Sequence, residues 1–504
     1  MNKFTFSWLL LVVLFLTSCD PKDKPHGYDP PVNNDRKIGY LFYTGFINEY
    51  NSSLYQTFSK FKAQGVTDLI IDLRYNHGGK LSAASYLASL IAPKPTVESR
   101  ALFTQLDFNA LLNSVYDRNN WSRKYYLGDA YGQMAPVGAN LNLKTVYIIA
   151  TDDSYSAAEL LTFCLRPYMK VVHIGSPTGG KFTASMTVTA YDDYDNSSNI
   201  MYDSTTLTSS AKDSLRNWGM QPIVAIYKDS KNSDFSVDGK LNPDVAVASR
   251  ENDISAYKPL GDQTDYLLAA TIARIKADNN ITADYIVPSL PRNVNSLSAA
   301  HLYSQVDNLM KEAVAFQPPF LANSKITVPS INTVSQFVYD GMVSYYKWTD
   351  YMKSKTPTAA DQDPMQYFES VLYPLDTQHG WSWMTNDVSA LLSGFSGEPV
   401  DFGWALNFLW TDASHTKLVA FVKYVYPNTP ASVAGIKRGE VISKINGADI
   451  TANAPDAGFY YKLLGQDPIN VTVGTSAGGR TVSLAPVKIS TNPVLMDTIY
   501  TIKK

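Results

Sequence analysis

Two cysteines, Cys19 and Cys164, are all that this chain of 504 residues contains. That excludes a disulfide-stapled fold, so burial of apolar surface has to hold the protein together. Charge of one sign is also missing: 43 Lys and Arg stand against 46 Asp and Glu, a net charge of −3. With no Lys/Arg run and no basic stripe, nucleic acid is excluded as a partner. Long hydrophobic runs are absent too. WLLLVVLFL, residues 8–16, is continuously apolar but too short to span a bilayer. There is no His-Glu-x-x-His and no other ligand cluster, so neither a metal nor a cofactor is expected.

What is present is an ordinary globular composition, 45% hydrophobic and 18% charged, at a length that implies about two or three domains. Aromatics reach 12%, with 33 tyrosines. The first 19 residues read as a signal peptide, and Leu16-Thr17-Ser18-Cys19 resembles the bacterial lipobox, in which the cysteine thiol receives a lipid. Residues 20–35, rich in Pro, Asp and Asn, read as a flexible tether. The expected location is therefore the bacterial cell envelope, periplasmic or surface-exposed, with lipid on Cys19 as the membrane contact. Cys164 lies on an apolar helical pattern and reads as a core thiol rather than a nucleophile.

Residues 36–277 alternate apolar strands with helical patterns. VTDLIIDLRYNHGG (66–79), TVYIIAT (145–151) and KVVHIGS (170–176) read as buried strands. Residues 53–64, 82–92, 156–169 and 265–277 read as helices. This predicts an α/β layer with largely parallel strands. Residues 278–328 read as a linker with a helix near 302–316, and 329–383 as a helical segment with its main helix at 333–352. Residues 384–490 change to a small β pattern, and 491–504 form a C-terminal strand or tail. Within the β part, Thr429-Pro430-Ala431, Ala434-Gly435, Gly439-Glu440-Val441-Ile442 and Ile445-Asn446-Gly447 resemble the signature of a PDZ domain. That resemblance implies β-augmentation by a peptide tail. Phe402, Gly403, Trp404, Ala405 and Leu406 stand where the tail's carboxylate would be received.

Three motifs bear on chemistry. Ser156-Ala157-Ala158-Glu159 fits a helix capping box, which by itself accounts for the serine. A serine there also lies where a helix start offers free N–H groups to a developing oxyanion. Thr178-Gly179-Gly180-Lys181 delivers a lysine from a glycine turn, 25 positions after Ser156. Asp72-Leu73-Arg74-Tyr75-Asn76-His77-Gly78-Gly79 ends a strand in paired glycines, with Asp72 and Arg74 also readable as a structural pair.

Together, and in this order, the motifs resemble the carboxyl-terminal processing (tail-specific) serine peptidases. The resemblance implies a ClpP/crotonase-like peptidase core with a helical segment and a PDZ-like domain. It implies that Ser156 is the nucleophile, Lys181 the general base, and the Ala157 N–H with a glycine of Gly78-Gly79 the oxyanion hole. Glu159 is read mainly as a cap. Three features depart from the family pattern. Ser185 stands where a Gln often orients the lysine. His77 stands in place of a proline, which leaves a Ser–His arrangement through His77 or His173 open. The helical and PDZ-like parts follow the core instead of preceding it, the layout of a circular permutation, which predicts that Lys504 and Arg36 lie close together. The expected activity is endoproteolysis near protein or peptide C-termini. The rival expectation is an inactive peptidase-like lipoprotein that binds peptide tails or small apolar ligands, with a surface-assembly or carbohydrate role a weaker third.

Overall fold

The computed structural model describes residues 35–191, 199–281, 298–299, 331–452, 457–465, 467–474 and 478–503. Cys19, the signal and tether segments, the helix expected at 302–316 and Lys504 lie outside the described residues.

The centre is a six-stranded sheet in the order Val245–Ala246, Lys170–Gly175, Thr145–Ala150, Asp68–Asp72, Arg36–Tyr43, Val494–Ile502. The first five strands run parallel. Its middle strands are apolar without alternation because both of their faces are covered. Leu69, Ile70, Ile71, Val146, Ile148 and Ile149 are all fully buried. The helices Asn51–Ala63, Leu81–Ile91 and Ala157–Leu165 fill one face, and Tyr266–Asp278 packs on the other. The four expected helices are thus present. The one predicted over 156–169 stops at Leu165, because Pro167 has no N–H with which to continue the ladder.

The last strand of the sheet comes from the far end of the chain. Val494–Ile502 runs antiparallel to Arg36–Tyr43, with Ile502 opposite Arg36. The central sheet therefore does not end with the segment up to residue 277; its edge is supplied from beyond the β module.

The helical segment belongs to the same body. Gly341, in the helix Thr333–Tyr345, lies so close to Met220 that a Cβ there would meet its Cε at 2.0 Å. This helix is shorter than predicted: Tyr346 turns extended, and the Lys347 N–H donates to the Ile223 carbonyl at 2.7 Å. Trp383–Thr385 pairs with Gly219–Gln221, and Val388 at the next helix start donates its N–H to the Asn217 carbonyl. The β module proper begins near Val400, somewhat after the expected boundary at 384. It is a seven-stranded antiparallel sheet around its own core of Phe402, Leu418, Val422, Ile442, Ile450 and Val471. Its outermost strand is the short Ser298–Ala299, which pairs with the end of Trp404–Trp410.

Candidate active site

Ser156 sits at the turn from the Thr145–Ala150 strand into the helix Ala157–Leu165, with φ +53° and ψ −114°. For a residue with a Cβ this backbone costs about 1–3 kcal/mol and persists only where its surroundings impose it. The surroundings are extensive. The Ser154 hydroxyl donates to the Leu73 carbonyl at 2.7 Å, the Thr151 hydroxyl to the Arg74 carbonyl at 2.6 Å, and the Tyr155 N–H to the Asn76 carbonyl at 3.0 Å. The serine loop is thereby laced to the loop that carries Gly78 and Gly79. At Gly78, φ is +107° and a Cβ would lie 2.9 Å from the Ser156 Cβ and 3.1 Å from the Ala157 nitrogen, so only glycine fits. The Gly78 N–H is already donated to Asn76 Oδ1 at 2.8 Å.

Glu159 does more than cap. Its Oε2 accepts the Ser156 N–H at 2.9 Å and the Lys181 N–H at 2.8 Å. Its Oε1 accepts the Gly180 N–H at 2.8 Å and the Thr178 hydroxyl. One carboxylate thus joins the serine turn to the lysine turn. Burial pushes its carboxyl up to about 7 against the pull of those four donors. A second tie comes from Tyr227, whose hydroxyl donates to the Lys181 carbonyl at 2.9 Å and the Ser156 carbonyl at 3.3 Å.

Lys181 is fully buried. The turn before it needs its glycines: a Cβ at Gly179 would meet the Tyr155 ring at 2.0 Å, and one at Gly180 the Gly239 carbonyl oxygen at 2.2 Å. The helical segment closes over this side. Phe182 meets Trp381 edge-on at 5.2 Å between centroids. Asp376, held by the Ser382 N–H at 2.8 Å and the Tyr346 hydroxyl at 2.7 Å, is buried nearby. Burial pushes its carboxyl up, and among the opposing influences is the charge of Lys181. Ser185 is buried in the Thr183–Ser185 strand, opposite Ile223. A small hollow beside Ser156 is lined by Gly79, Leu81, Ala157, Leu160, Thr183, Ala184 and Tyr227.

The histidines are engaged elsewhere. His77 Nε2 faces Asp153 Oδ1 at 2.8 Å, and the buried His173 faces the Ala150 carbonyl at 3.2 Å. Asp72 and Arg74 form the structural pair: Arg74, 2% exposed, is forked between Asp72 and Asp265 at 2.8–3.1 Å. Cys164 is a buried thiol in the core.

In the β module, Gly403 has φ +87° and packs so tightly on Thr429 that a Cβ would meet it at 2.2 Å. Its N–H is donated to Asp401 Oδ1 at 2.5 Å, and burial pushes that carboxyl up to about 6. Trp404 is pinned through its indole N–H to the Leu463 carbonyl at 3.0 Å. Ala405 and Leu406 continue the Trp404–Trp410 strand, opposite Tyr424 and Val422.

The sequence reading missed Tyr227, Asp376 and Asp401. Tyr227 and Asp376 are far from the motifs in sequence and carry no local signal. Asp401 does carry one, an acid two residues before a turn glycine, where an Asx turn closes.

Residues 37–226 match the family described as Peptidase family S41, and residues 333–383 match the Peptidase S41 N-terminal domain. Over these residues the chain is similar to peptidase family S41. The S41 N-terminal-domain segment here follows the peptidase segment. Among solved structures, a putative S41 protease from Bacteroides fragilis is 26% identical, covering 49% of this chain and 56% of that one, with a TM-score of 0.37. A putative peptidase from Parabacteroides merdae is 19% identical (49% and 64% covered, TM-score 0.30). The photosystem II D1 C-terminal processing protease is 17% identical (48% and 49% covered, TM-score 0.29). The chain thus spans little more than half of the first of these relatives. No curated protein matches it. The S41 segment contains Ser156, Lys181, Gly78 and Gly79 and stops one residue short of Tyr227.

Proposed function

We propose that this protein is a serine peptidase of the S41 type working through Ser156 and Lys181. The observation that carries the reading is Glu159 Oε2, which receives the N–H groups of both residues at 2.8–2.9 Å. It fixes a strained serine and a buried lysine relative to each other.

In the proposed reaction the Lys181 amine takes the hydroxyl proton as Ser156 Oγ bonds to the substrate carbonyl carbon. Burial penalises the charged form of an amine, which is the condition a lysine base needs. The oxyanion is received by the Ala157 N–H at the helix start and by the Gly79 N–H; Gly78 is the weaker candidate, its N–H being given to Asn76. The C–N bond then breaks, and Lys181 returns the proton to the leaving amine. Water attacks the acyl-enzyme with Lys181 again accepting and returning a proton. The hollow formed by Leu81, Leu160 and Ala184 suits an apolar substrate side chain.

The β module is assigned the capture of substrate tails at Phe402–Leu406, in the manner of a PDZ domain. A tail carboxylate there has to compete with Asp401 for the Gly403 N–H. Lipid on Cys19 is assigned the membrane attachment. The order of the two S41 segments, with Val494–Ile502 lying along Arg36–Tyr43, supports a circular permutation of the family layout.

A fluorophosphonate probe tests the chemistry. Ser156 is the expected labelled residue, and Ser156→Ala and Lys181→Ala each abolish labelling and peptide cleavage with an unchanged melting curve. Binding of C-terminal peptides without any labelling would instead establish the non-catalytic tail-binder.

A further inference from the structure

Asp153 lies three residues before Ser156 and joins three parts of the molecule. Its Oδ1 is 2.8 Å from His77 Nε2, and its Oδ2 is 2.5 Å from Lys423 Nζ. His77 immediately precedes Gly78 and Gly79. Lys423 belongs to the Lys417–Val425 strand of the β module. We infer that Asp153, held by Lys423, is a positioning residue for the oxyanion site, so that the β module sets the geometry of the catalytic core.

The geometry gives this contact leverage. The His77 ring packs edge-on against Tyr155 at 5.8 Å, and the Tyr155 N–H is bonded to the Asn76 carbonyl, so a shift of His77 moves both arms of the site. The Gly78 backbone runs so close to the serine turn that a Cβ there would come within 2.9 Å of the Ser156 Cβ, so a displacement of this loop is felt at the serine. A misplacement of about 1 Å at such a site can cost about 100-fold in rate.

The ion pair is not a loose surface contact. Lys423 is 13% exposed, His77 14% and Asp153 28%. Burial pushes the Asp153 carboxyl up, but the Lys423 ammonium and His77 pull it further down, leaving it below the usual carboxylate range. Lys423 is itself fixed. Its ammonium lies over the Tyr75 ring at 5.3 Å, its carbonyl accepts from Arg438, and Arg438 also donates to the Tyr75 hydroxyl at 3.1 Å. Tyr75 in turn donates to Glu251 at 2.5 Å. The side chain at 423 is therefore braced from the β module and from the core loop that leads to His77.

This inference rests on Ser156 as nucleophile, and the experiment separates the two. The full chain is labelled with a fluorophosphonate, and the maximal labelling rate is measured apart from the half-saturating concentration. Lys423→Met and Asp153→Asn each lower the maximal rate about tenfold or more, with the half-saturating concentration and the melting temperature little changed. Lys423→Arg restores most of the rate, because a guanidinium still donates to the carboxylate. The double variant is no slower than the worse single one, as members of one network behave. Wild-type rates in Lys423→Met, or effects that multiply in the double variant, overturn the inference while leaving the peptidase reading standing. Absence of labelling in the wild-type chain overturns the peptidase reading itself, and the inference with it.

Discussion

Two loops of this protein present backbone N–H groups around a glycine, and they are furnished in opposite ways. Beside Ser156, one N–H of the glycine pair is taken by the neutral amide of Asn76, and the charged acceptor, Glu159, is turned to the far side, where it binds the backbone of Ser156 and Lys181. At Gly403, the chain's own Asp401 carboxylate is bonded to the N–H that a substrate tail would need. On the proposed reading, the first loop would receive an oxyanion that forms only during reaction. On the same reading, the second starts with an internal competitor, and a tail carboxylate would gain only the difference between itself and Asp401.

The largest break in this comparison is expected at Gly78. Gly78→Ala forces a Cβ against Ser156 at a φ that alanine avoids, and labelling of Ser156 should fall by more than about 100-fold. Labelling kinetics measure it directly. Next comes Glu159→Gln, which turns an NH2 group toward N–H donors. Labelling should fall by about tenfold or more and the melting temperature by several degrees, since buried donors left without an acceptor cost about 1–3 kcal/mol each.

The same group sets a pH dependence in the wild-type chain. Glu159 titrates near 7 when folded, against about 4.3 when unfolded. Its linkage contribution to stability is thus fully present below about 4.3 and is lost as pH rises through 7. Activity should run the other way, rising through pH 7 as the carboxylate becomes able to accept all four donors. Labelling rates between pH 5 and 9, set beside melting curves over that range, test both signs.

The smallest effects are expected at the other loop. Asp401→Ala should tighten binding of C-terminal peptides about tenfold, because the Gly403 N–H is released. In the wild-type chain the same gain should come as pH falls through about 6 and Asp401 is neutralised. Isothermal titration at pH 5 and 8 sharpens the comparison; equal affinities in Asp401→Ala and wild type at both pH values would remove the competitor from the account.

Much of the core was legible because its signals are local. Leu69-Ile70-Ile71 and Val146–Ile149 lack alternation, and both prove to be strands covered on two faces. The capping box at Ser156-Ala157-Ala158-Glu159 marked a helix start, and paired glycines marked a turn. Asp72 and Arg74, read either way, turned out to be structural, closed by Asp265 from a helix start almost 200 positions away. What could not be read was this kind of long-range closure. Tyr227, Asp376 and Lys423 reach the site from separate elements, and no spacing announces them. The dual use of Glu159 was equally hidden, since a capping carboxylate and a brace between two turns are written with the same four residues.

The antiparallel pair Arg36–Tyr43 and Val494–Ile502 also bears on how the protein is made. Tyr50 and Ser490, 440 positions apart, touch through their hydroxyls, and Thr57 reaches Asp497 over the same interval. Contacts of such sequence separation carry a large loop-closure cost and are intrinsically slow to form. Until residues 494–502 have been synthesised, the edge of Arg36–Tyr43 that they cover has no such partner, so the sheet that bears Ser156 is completed only by the last segment of this sequence to be made.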